Sequence, residues 1–437
     1  INSPKDLKAL SKEERKELAG EMREALIERA SRHMGHVGPD LGFVEATIAL
    51  HTVFDAPEDR IVFDVSHQTY PHKMLTGRKE AYMDPEHYDD VGPYTDPKES
   101  PYDLYSIGHT STSVDLAIGM AKARDILGGK EHVVGIIGDG SLSGGMALEG
   151  LNVAGEMDSS LILVLNDNDQ SIAENHGGMY REFRRLRETN GTAENNLFRA
   201  MGLDYRYVAD GNDCEALIDA FRAVKDSQTP VVVHIHTQKG KGYKFAEEDP
   251  ETWHYRMPFD IETGALKHPY TDPFLAATVG FVKAEAARNP NFVFLAAGTM
   301  GGIGLTPADR AALGTQYVDV GIAEEHAVAM ASGLAHGGAR PIFGTYSTFF
   351  QRVYDQMAQD VAVNNNPAVF LSTYATLYGM NDVTHLGFFD IPLFANIPNL
   401  VFLAPAGLEE YLAVLRWAIA QTAHPVMIRV PVMGYET

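Results

Sequence analysis

The sequence predicts an α/β protein of two consecutive domains, each a doubly wound parallel sheet flanked by helices. Short apolar, β-branched runs alternate with helical patterns along the whole chain, which predicts alternating strands and helices. Polar and glycine-rich segments follow several of these runs, as at the ligand-binding carboxyl ends of an open sheet. A proline-rich, aperiodic stretch over 246–275 is interpreted as an inter-domain linker. We expect the domains to cover residues 1–260 and 270–437.

Local signals place the individual elements. Ser11 and Glu14 form a capping-box pattern that begins a helix ending near residue 32. Residues 81–104 are acidic and aperiodic and predict a surface loop, and 180–196 predict a mobile loop or short helix. The other predicted helices include 41–53, 114–123, 273–287 and 323–336. The predicted strands are 59–65, 133–137, 161–165, 229–237, 291–297, 315–320, 340–346, 367–373, 400–404 and 425–430.

Composition excludes several classes of function. The 437 residues carry a net charge of −23, which argues against nucleic acid or an anionic membrane as a partner. Cys214 is the one cysteine, so no internal disulfide can form and a cytoplasmic setting is expected. The sequence has no apolar run of 18 residues, so no membrane span is predicted, and no signal-peptide pattern follows Ile1.

The most informative stretch is 133–172, where polar residues follow two successive predicted strands. Asp139 lies in a Gly-Asp-Gly turn after the first strand, and Asn168 follows the second, 29 positions later. Carboxylate and amide oxygens suit a magnesium ion that also holds phosphate, and the flanking glycines admit a diphosphate. A lone Gly-Asp-Gly turn is usually structural. With a strand before it and an asparagine after the next strand, the pattern is typical of thiamine-diphosphate enzymes.

At other strand and helix ends, single polar residues allow either a structural or a functional interpretation. His36 lies in a glycine-flanked break, where it can enter a cleft or remain a solvated loop histidine. Lys239 stands beside a glycine after a strand and can reach a phosphate. Ser111 precedes a small-residue helix, where it can assist anion binding, cap the helix, or both. Glu324 begins a helix, where capping is the simpler interpretation and a carboxylate protruding toward the first half the functional one.

Taken together, the motifs resemble the 1-deoxy-D-xylulose-5-phosphate synthase family, in the transketolase group of thiamine-diphosphate enzymes. The matching segments occur in the family's order and span nearly the whole chain. They are SPKDLK, MGHVG, FDVSHQTYPHK, GHTSTS, GDG…NDN, SIAENHG, KGKGY with AEEDP, VGIAEEHAVAMASGLA and YSTFFQRVYDQ. The resemblance implies thiamine diphosphate and Mg²⁺ as cofactors, a diphosphate-binding first domain, an aminopyrimidine-binding second domain and a homodimer.

The resemblance also implies roles residue by residue. Glu324 would hydrogen-bond the aminopyrimidine ring and Phe349 would stack on it. The implied magnesium ligands are Asp139, Asn168 and the main-chain carbonyl of Gln170. The other implied cofactor-binding residues are His67, His109, Ser111, Gly140, Ser141 and Lys239. The implied catalytic histidines are His36, His254 and His385, and the implied substrate-pocket residues are Tyr346, Arg352 and His385.

The sequence departs from the family in three respects. A third, C-terminal α/β domain of the family is expected to be absent from this chain, and the segment between Asn175 and Phe198 is shorter than the family's. Tyr374 stands where the family has an arginine, Asn381 where it has an acidic residue, and Val432 where it has a second arginine. Because arginine pairs are the usual phosphate clamp, the acceptor substrate can differ from the family's.

The implied reaction joins a two-carbon unit from pyruvate to glyceraldehyde 3-phosphate, a step toward isoprenoid precursors and thiamine. Two alternatives stay open. One is a transketolase-like enzyme with a ketose donor, a sugar phosphate or an unphosphorylated aldehyde as substrate. The other is a non-catalytic paralogue that binds cofactor or partner only. Whether the cofactor lies within one chain or between subunits is also left open by the sequence.

Overall fold

A computed structural model of the chain describes residues 1–377 and 382–432. The chain forms two compact units, Ile1–Pro269 and Tyr270–Thr437, and each is described by itself. Within the described ranges, no helix is both long enough and apolar enough to cross a membrane.

The first unit is built on a parallel sheet. Its strands are β1 (Gly35–His36), β2 (Arg60–Phe63), β3 (Val133–Gly138), β4 (Leu161–Asp167), β5 (Asp204–Val208), β6 (Pro230–His236) and β7 (Tyr255–Arg256). Five of them form a parallel sheet in the order β2-β3-β4-β6-β5. The short strands β1 and β7 form a separate antiparallel ribbon, in which His36 pairs with Tyr255.

Helices of the first unit alternate with these strands. The first long helix begins after Ser11, whose side chain accepts from the Glu14 N–H while Glu14 caps the Ser11 N–H, as the capping box predicts. The helices are α1 (Pro4–Leu7), α2 (Lys12–Arg32), α3 (Gly38–Gly42), α4 (Val44–Val53), α5 (Tyr70–Lys73), α6 (Glu80–Met83), α7 (Ser113–Leu127), α8 (Gly145–Ala154), α9 (Met179–Glu188), α10 (Leu197–Ala200), α11 (Cys214–Val224) and α12 (Lys244–Glu248). Shorter helical turns cover Met74–Arg78, Pro85–His87 and Ser141–Ser143.

The apolar core lies on both faces of this sheet. Val134 and Ile136 of β3 pack into one cluster with helices α2, α4 and α11. Val133 and Ile137, which alternate with them, pack into a second cluster with α7 and α8. Because successive side chains of a strand point to opposite faces, a strand covered on both faces is apolar at every position. The continuous apolar run of β3 is explained by this arrangement.

The structure differs from the sequence-based expectation in three segments. Residues 81–104 lie partly at the surface, as expected, but Asp103 within them is 2% exposed and receives a bidentate pair of hydrogen bonds from Arg78. The segment expected to be a linker packs into the first unit as far as Pro269, with Trp253 and Phe259 buried in its core. Strand β5 was not predicted, since it is a polar edge strand with little periodicity. Helix α11 was also not predicted.

The second unit repeats the architecture. Its strands are β8 (Phe292–Ala296), β9 (Tyr317–Asp319), β10 (Arg340–Tyr346), β11 (Val369–Thr373), β12 (Val401–Leu403) and β13 (Val426–Val430). They form a parallel sheet in the order β12-β13-β11-β10-β8-β9. Each strand predicted for the second half of the sequence is present.

Helices of the second unit precede or separate these strands in sequence. They are α13 (Pro273–Arg288), α14 (Pro307–Leu313), α15 (Glu324–His336), α16 (Asp390–Phe394) and α17 (Leu408–Ala420). Short or irregular helical segments cover Met300–Gly302, Gly314–Gln316, Ser347–Val353 and Gln356–Ala362. The predicted fold class, two consecutive doubly wound parallel α/β sheets, is confirmed.

Candidate active site

Four neighbouring strands of the first unit end beside the residues that the sequence singled out. Strands β2, β3, β4 and β6 are consecutive in the sheet and parallel, so their carboxyl ends lie along one edge. His67, Asp139, Asn168 and Lys239 follow these four strands within four residues of each end. The sheet order therefore places these four predicted site residues along one edge.

Asp139 is a buried carboxylate at the end of β3. Its N–H donates to the carbonyl of Asn166 (3.0 Å), and its Oδ2 accepts from the amide of Asn175 (2.8 Å). Burial raises the pKa of Asp139 well above its usual range, and the nearby Asp167 carboxylate raises it further. Both effects penalise the anion in the absence of a cation. A divalent ion would remove that penalty, so the residue fits a metal ligand.

The loop after β4 carries the other two predicted metal ligands. The Asn168 side-chain oxygen accepts from the Gln170 N–H (3.2 Å), and Gln170 pairs with Glu174 in an isolated antiparallel bridge. Between them, Asp169 has a φ of +60°. The described residues contain no group of three His, Cys, Asp or Glu side chains poised for a metal. The predicted set of one carboxylate, one amide and one main-chain carbonyl is of a different kind and stays a prediction.

Lys239 provides a buried positive charge after β6. Its ammonium donates to the carbonyls of Ser171 (2.6 Å) and Ile172 (3.3 Å), and the residue is 5% exposed. Both acceptors are neutral carbonyls, and burial lowers the pKa of Lys239 to about 7. Lys239 forms no salt bridge with the residues that the structure describes. A buried cation of this kind is suited to an anionic ligand.

Three of the four site histidines predicted in the first half lie together. The His36 ring centroid is 5.3 Å from that of His67 and 5.6 Å from that of His254, and the latter two are 5.2 Å apart. The β1–β7 ribbon joins the segments that carry His36 and His254. Burial lowers the pKa of His67 to about 3 and that of His254 well below its usual value, so both are neutral imidazoles. Their Nδ1 atoms have no hydrogen-bond partner among the described residues.

The start of helix α7 does not present free N–H groups. The N–H groups of Ser111, Thr112 and Ser113 donate to the buried Asp64 carboxylate at 2.8–2.9 Å. These three N–H groups are therefore not available to bind an external anion, and the role of Ser111 toward a cofactor stays a prediction. The Ser111 hydroxyl donates to the Ser141 carbonyl (2.7 Å), so these two predicted cofactor-binding residues are in contact.

Two further residues of the predicted set are placed by the same loops. At Gly140 an added Cβ would lie 2.9 Å from the Ser171 side chain, so only glycine fits beside the Lys239-bound loop. His109 lies two residues before Ser111 in the loop that leads to α7. Their roles toward a cofactor stay predictions.

Asp64 is expected to control the stability of this loop. Asp64→Ala leaves three N–H groups, two of them buried and one partly buried, without their acceptor. We therefore expect the free energy of unfolding to fall by roughly 3 kcal/mol or more. Denaturant titration of the full chain measures this change. Asp89→Ala removes a carboxylate that is 94% exposed and should change stability by less than about 0.5 kcal/mol. Equal effects of the two substitutions would contradict the assignment.

If Lys239 binds the cofactor as predicted, we expect cofactor affinity to depend on pH. Its protonated form attracts phosphate oxygens, and its pKa of about 7 means that the charge is lost as pH rises through neutrality. Affinity for thiamine diphosphate with Mg²⁺ should therefore fall above pH 7, by up to about tenfold per pH unit. Calorimetry at pH 8 in buffers of different ionisation enthalpy should show proton uptake on binding.

Substitution identifies the source of that proton uptake. Lys239→Gln should bind weakly and lose this component of the pH dependence, whereas Lys241→Gln in the same loop should keep it. A wild-type affinity that is constant between pH 7 and 9 would refute the prediction.

In the second unit, Glu324 begins helix α15 and is 2% exposed. Burial raises the pKa of Glu324 to about 7, against the opposing effect of the Arg352 guanidinium, 3.9 Å away. Its Oε2 accepts no hydrogen bond from the described residues. A buried carboxyl that holds its proton near neutrality is uncommon at a simple helix cap and is suited to proton exchange with a ligand.

An aromatic group lies in the same unit and contains the predicted substrate residues. The Phe349 ring is 5.6 Å from the rings of both Tyr346 and His385. His385 is 7% exposed, and its Nδ1 lies 2.8 Å from the Thr384 hydroxyl. Phe349, Tyr346 and His385 thus lie together, and Arg352 lies beside Glu324. Their roles toward a cofactor or substrate stay predictions.

The positions that depart from the family pattern have distinct surroundings. Tyr374 has a φ of +54° after β11, and its ring lies 4.8 Å from that of Tyr346. Val432 is 2% exposed, and Arg429 pairs with the buried Asp390 (2.7 Å). Asn381 and residues 433–437 lie outside the described residues, so the surroundings of Asn381 are not described.

Sequence reasoning gave no role to two residues that organise the site. Asp64 holds the Ser111 loop, and Asn175 donates to Asp139. Asp64 immediately follows β2, so its position at a strand end was the available signal. Asn175 had no such signal, because its contact joins residues 36 positions apart through a loop of irregular conformation.

Two protein-family profiles match this chain. The profile of the transketolase pyrimidine-binding domain matches residues 276–436, which places the chain among transketolase-type transferases. The profile described as 1-deoxy-D-xylulose-5-phosphate synthase matches residues 1–195 and 187–237. The chain therefore belongs to the 1-deoxy-D-xylulose-5-phosphate synthase family, whose members use thiamine diphosphate.

Curated relatives agree with this assignment. The 1-deoxy-D-xylulose-5-phosphate synthase of Syntrophomonas wolfei is 39% identical over 99% of this chain and 73% of the relative. That of Natranaerobius thermophilus is 39% identical over 99% of this chain and 74% of the relative. Among solved structures, a transketolase from Leishmania mexicana is 16% identical with a TM-score of 0.46, covering 96% of this chain and 77% of that chain.

Proposed function

We propose that this chain is a thiamine-diphosphate- and Mg²⁺-dependent 1-deoxy-D-xylulose-5-phosphate synthase. It would decarboxylate pyruvate and join the two-carbon unit to glyceraldehyde 3-phosphate, a step that feeds isoprenoid and thiamine biosynthesis. Family membership supports the reaction class. The observation that supports cofactor binding is the buried Lys239 ammonium. Its hydrogen-bond acceptors are neutral carbonyls, so a bound anion would stabilise its charge.

The residues present fit the two cofactors. In the first unit, a diphosphate-binding domain, Lys239 would neutralise the diphosphate and Asp139 would hold the metal together with Asn168 and the Gln170 carbonyl. In the second unit, an aminopyrimidine-binding domain, Glu324 and Phe349 would hold the ring. Thiamine diphosphate, when bound, supplies the electron sink that makes decarboxylation of a 2-oxo acid possible.

The protein's own groups would handle protons. Glu324 has a pKa of about 7, so its carboxyl can donate a proton to a ring nitrogen and take it back near neutral pH. The buried His254 and His67 are neutral, because burial lowers their pKa values. His254 could therefore accept or relay a proton at a substrate oxygen without adding fixed charge. His36, whose ring centroid is 5.6 Å from that of His254, would take part in the same relay. The surrounding Tyr94 and Tyr255 rings restrict water around His36.

A second candidate is the same chemistry with an unphosphorylated aldehyde as acceptor. The supporting observation is the Tyr346–Tyr374 ring contact, which presents an aromatic surface where the resemblance predicts an arginine. Each charge-assisted hydrogen bond lost costs roughly 1.5–3 kcal/mol, so an unanchored phosphate would bind far more weakly. A ketose donor in place of pyruvate and a non-catalytic role are the remaining alternatives.

The deciding experiment supplies the full chain with thiamine diphosphate, MgCl₂ and pyruvate and measures carbon dioxide release. Parallel reactions add glyceraldehyde 3-phosphate or glyceraldehyde, and the products are identified by mass spectrometry. Stimulation by the phosphorylated aldehyde with formation of deoxyxylulose phosphate supports the first proposal, and stimulation by glyceraldehyde alone supports the second. Cofactor binding without pyruvate consumption would contradict both and favour a ketose donor or a non-catalytic role.

A further inference from the structure

One arginine of helix α9 contacts both chain neighbours of the predicted metal ligand Asn168. Arg187 contacts both oxygens of Asp167 (2.6 and 2.8 Å) and reaches Asp169 (3.1 Å). Asp167 and Asp169 are the chain neighbours of Asn168. A single guanidinium thus fixes the residue before the ligand and the residue after it. Its planar fork suits this arrangement, because its donors have fixed mutual directions.

Asp167 is anchored a second time from within the sheet. Its Oδ2 lies 2.8 Å from His234 Nε2, and His234 Nδ1 lies 2.9 Å from the Tyr205 hydroxyl. Asp167 and His234 are both fully buried. Asp167 is therefore held by two partners, Arg187 and His234, whereas Asp169, the residue after Asn168, is held by its contact with Arg187.

The conformation of Asp169 is one that needs support. Its φ of +60° lies in the left-handed region, which a non-glycine residue adopts at an energetic cost. Its N–H donates to Asp167 Oδ1 (3.1 Å), the same oxygen that Arg187 contacts. The guanidinium, the carboxylate and this N–H form one hydrogen-bonded turn around Asn168. That turn decides where the Asn168 side chain and the Gln170 carbonyl lie.

Arg187 also compensates charge near the site. Asp139, Asp167 and Asp169 are three carboxylates associated with neighbouring strand ends. Arg187 pairs with two of them, Asp167 (2.6 Å) and Asp169 (3.1 Å). The third, Asp139, accepts a hydrogen bond from the neutral amide of Asn175 (2.8 Å).

We propose that Arg187 is a positioning residue of the magnesium site, holding the 167–170 turn so that Asn168 and the Gln170 carbonyl face the metal. This inference rests on the proposed cofactor set and deepens it. Arg187 touches neither metal nor substrate in this role and acts through Asp167 and Asp169. Substitutions of such supporting residues typically cost 10–100-fold in metal affinity.

The test measures the Mg²⁺ concentration for half-saturation of the full chain at saturating thiamine diphosphate. Quenching of Trp253 fluorescence, next to His254, or calorimetry reports binding without turnover. Arg187→Met should raise the half-saturating Mg²⁺ concentration roughly 10–100-fold. Catalytic turnover should recover toward the wild-type value in excess Mg²⁺. Arg187→Lys should be intermediate, because an ammonium is a point charge that cannot bridge both carboxylates in the same way.

Matched variants separate positioning from folding. Arg184→Met removes an exposed arginine of the same helix and should leave the Mg²⁺ dependence unchanged. Asp169→Asn removes only the outer contact of Arg187, at a half-exposed side chain, and should weaken Mg²⁺ binding without unfolding the protein. If Arg187→Met fails to fold, Asp169→Asn and Arg187→Lys decide the question.

The outcomes are distinguishable from failure of the proposed function. Wild-type protein that binds no cofactor with Mg²⁺ would refute the proposed function itself. Wild-type binding together with unchanged Mg²⁺ affinity in Arg187→Met, or in Asp169→Asn where the former does not fold, would overturn only this inference. A lower melting temperature with unchanged Mg²⁺ affinity would likewise show a purely structural role.

Discussion

Replacing Glu324 by glutamine is expected to reduce pyruvate consumption by roughly 10²–10⁴-fold, the usual contribution of a group that exchanges protons with the reacting system. The amide keeps the size of the side chain but cannot donate and recover a proton near neutral pH. Binding of thiamine diphosphate with Mg²⁺ should persist, because the proposed diphosphate and metal residues belong to the first unit. Steady-state carbon dioxide release and cofactor titration measure the two properties separately.

The same substitution should stabilise the protein at alkaline pH. The folded-state pKa of Glu324 is about 7, above the unfolded value of 4.5, so the folded state retains a proton that the unfolded chain releases. The free energy of unfolding therefore falls as pH rises from 4.5 to 7. Above pH 7 Glu324→Gln should be more stable than wild type, by roughly 3 kcal/mol at most, and near pH 4.5 the difference should be small.

Glu325→Gln is the matched control, since it changes the next carboxyl of helix α15 to the same amide. Thermal melts of the cofactor-free proteins at pH 5 and pH 8 provide the comparison. Glu325→Gln should retain activity and show no comparable alkaline stabilisation. An active Glu324→Gln variant would rule out the proton-exchange role, whatever its stability.

Replacing Asp139 by asparagine is expected to have the second large effect, on the metal. The carboxylate is the one charged ligand in the proposed set, so Mg²⁺ affinity should fall by more than roughly 100-fold, beyond the usual cost of losing an indirect partner. Cofactor-free Asp139→Asn should be at least as stable as wild type near neutral pH, because a costly buried carboxylate is removed. Calorimetric titration with MgCl₂ in the presence of thiamine diphosphate measures the affinity.

Asp158→Asn serves as the control for this substitution. Asp158 is exposed in the connection before β4 and should leave both Mg²⁺ affinity and stability nearly unchanged. If Asp139→Asn retained wild-type Mg²⁺ affinity, the metal site would have to be sought elsewhere in the chain.

Much of the fold followed from the sequence because buried parallel strands are apolar at every position. β3, β4 and β6 were found for this reason, and the polar residues after them marked the edge of the sheet where the site lies. β5 was missed because Asp204 and Arg206 interrupt an edge strand that needs little burial. The histidines were predicted from the motifs around them, and the structure adds that three of them are in contact.

Other features depended on partners distant in sequence. The acidic stretch that contains Asp103 appeared solvated because Arg78, the partner of Asp103, lies outside the stretch. Pairing with Arg78 offsets the cost of burying the Asp103 carboxylate. Likewise, Ser111 suggested a vacant anion site because nothing local reveals that Asp64, 47 positions earlier, fills it. Electrostatic pairing across the fold decides whether such a group is exposed, and local patterns do not report it.

The β1–β7 ribbon has a consequence for the order of folding. It pairs residue 36 with residue 255, so the histidine cluster depends on contacts of very high sequence separation. During synthesis, His36 is made early, yet its neighbour His254 emerges only when nearly all of the first unit has been made. Since long-range contacts form late and slowly, the cluster should be completed at the end of folding of this unit. Partly folded chains would then have a formed central sheet without a competent histidine cluster.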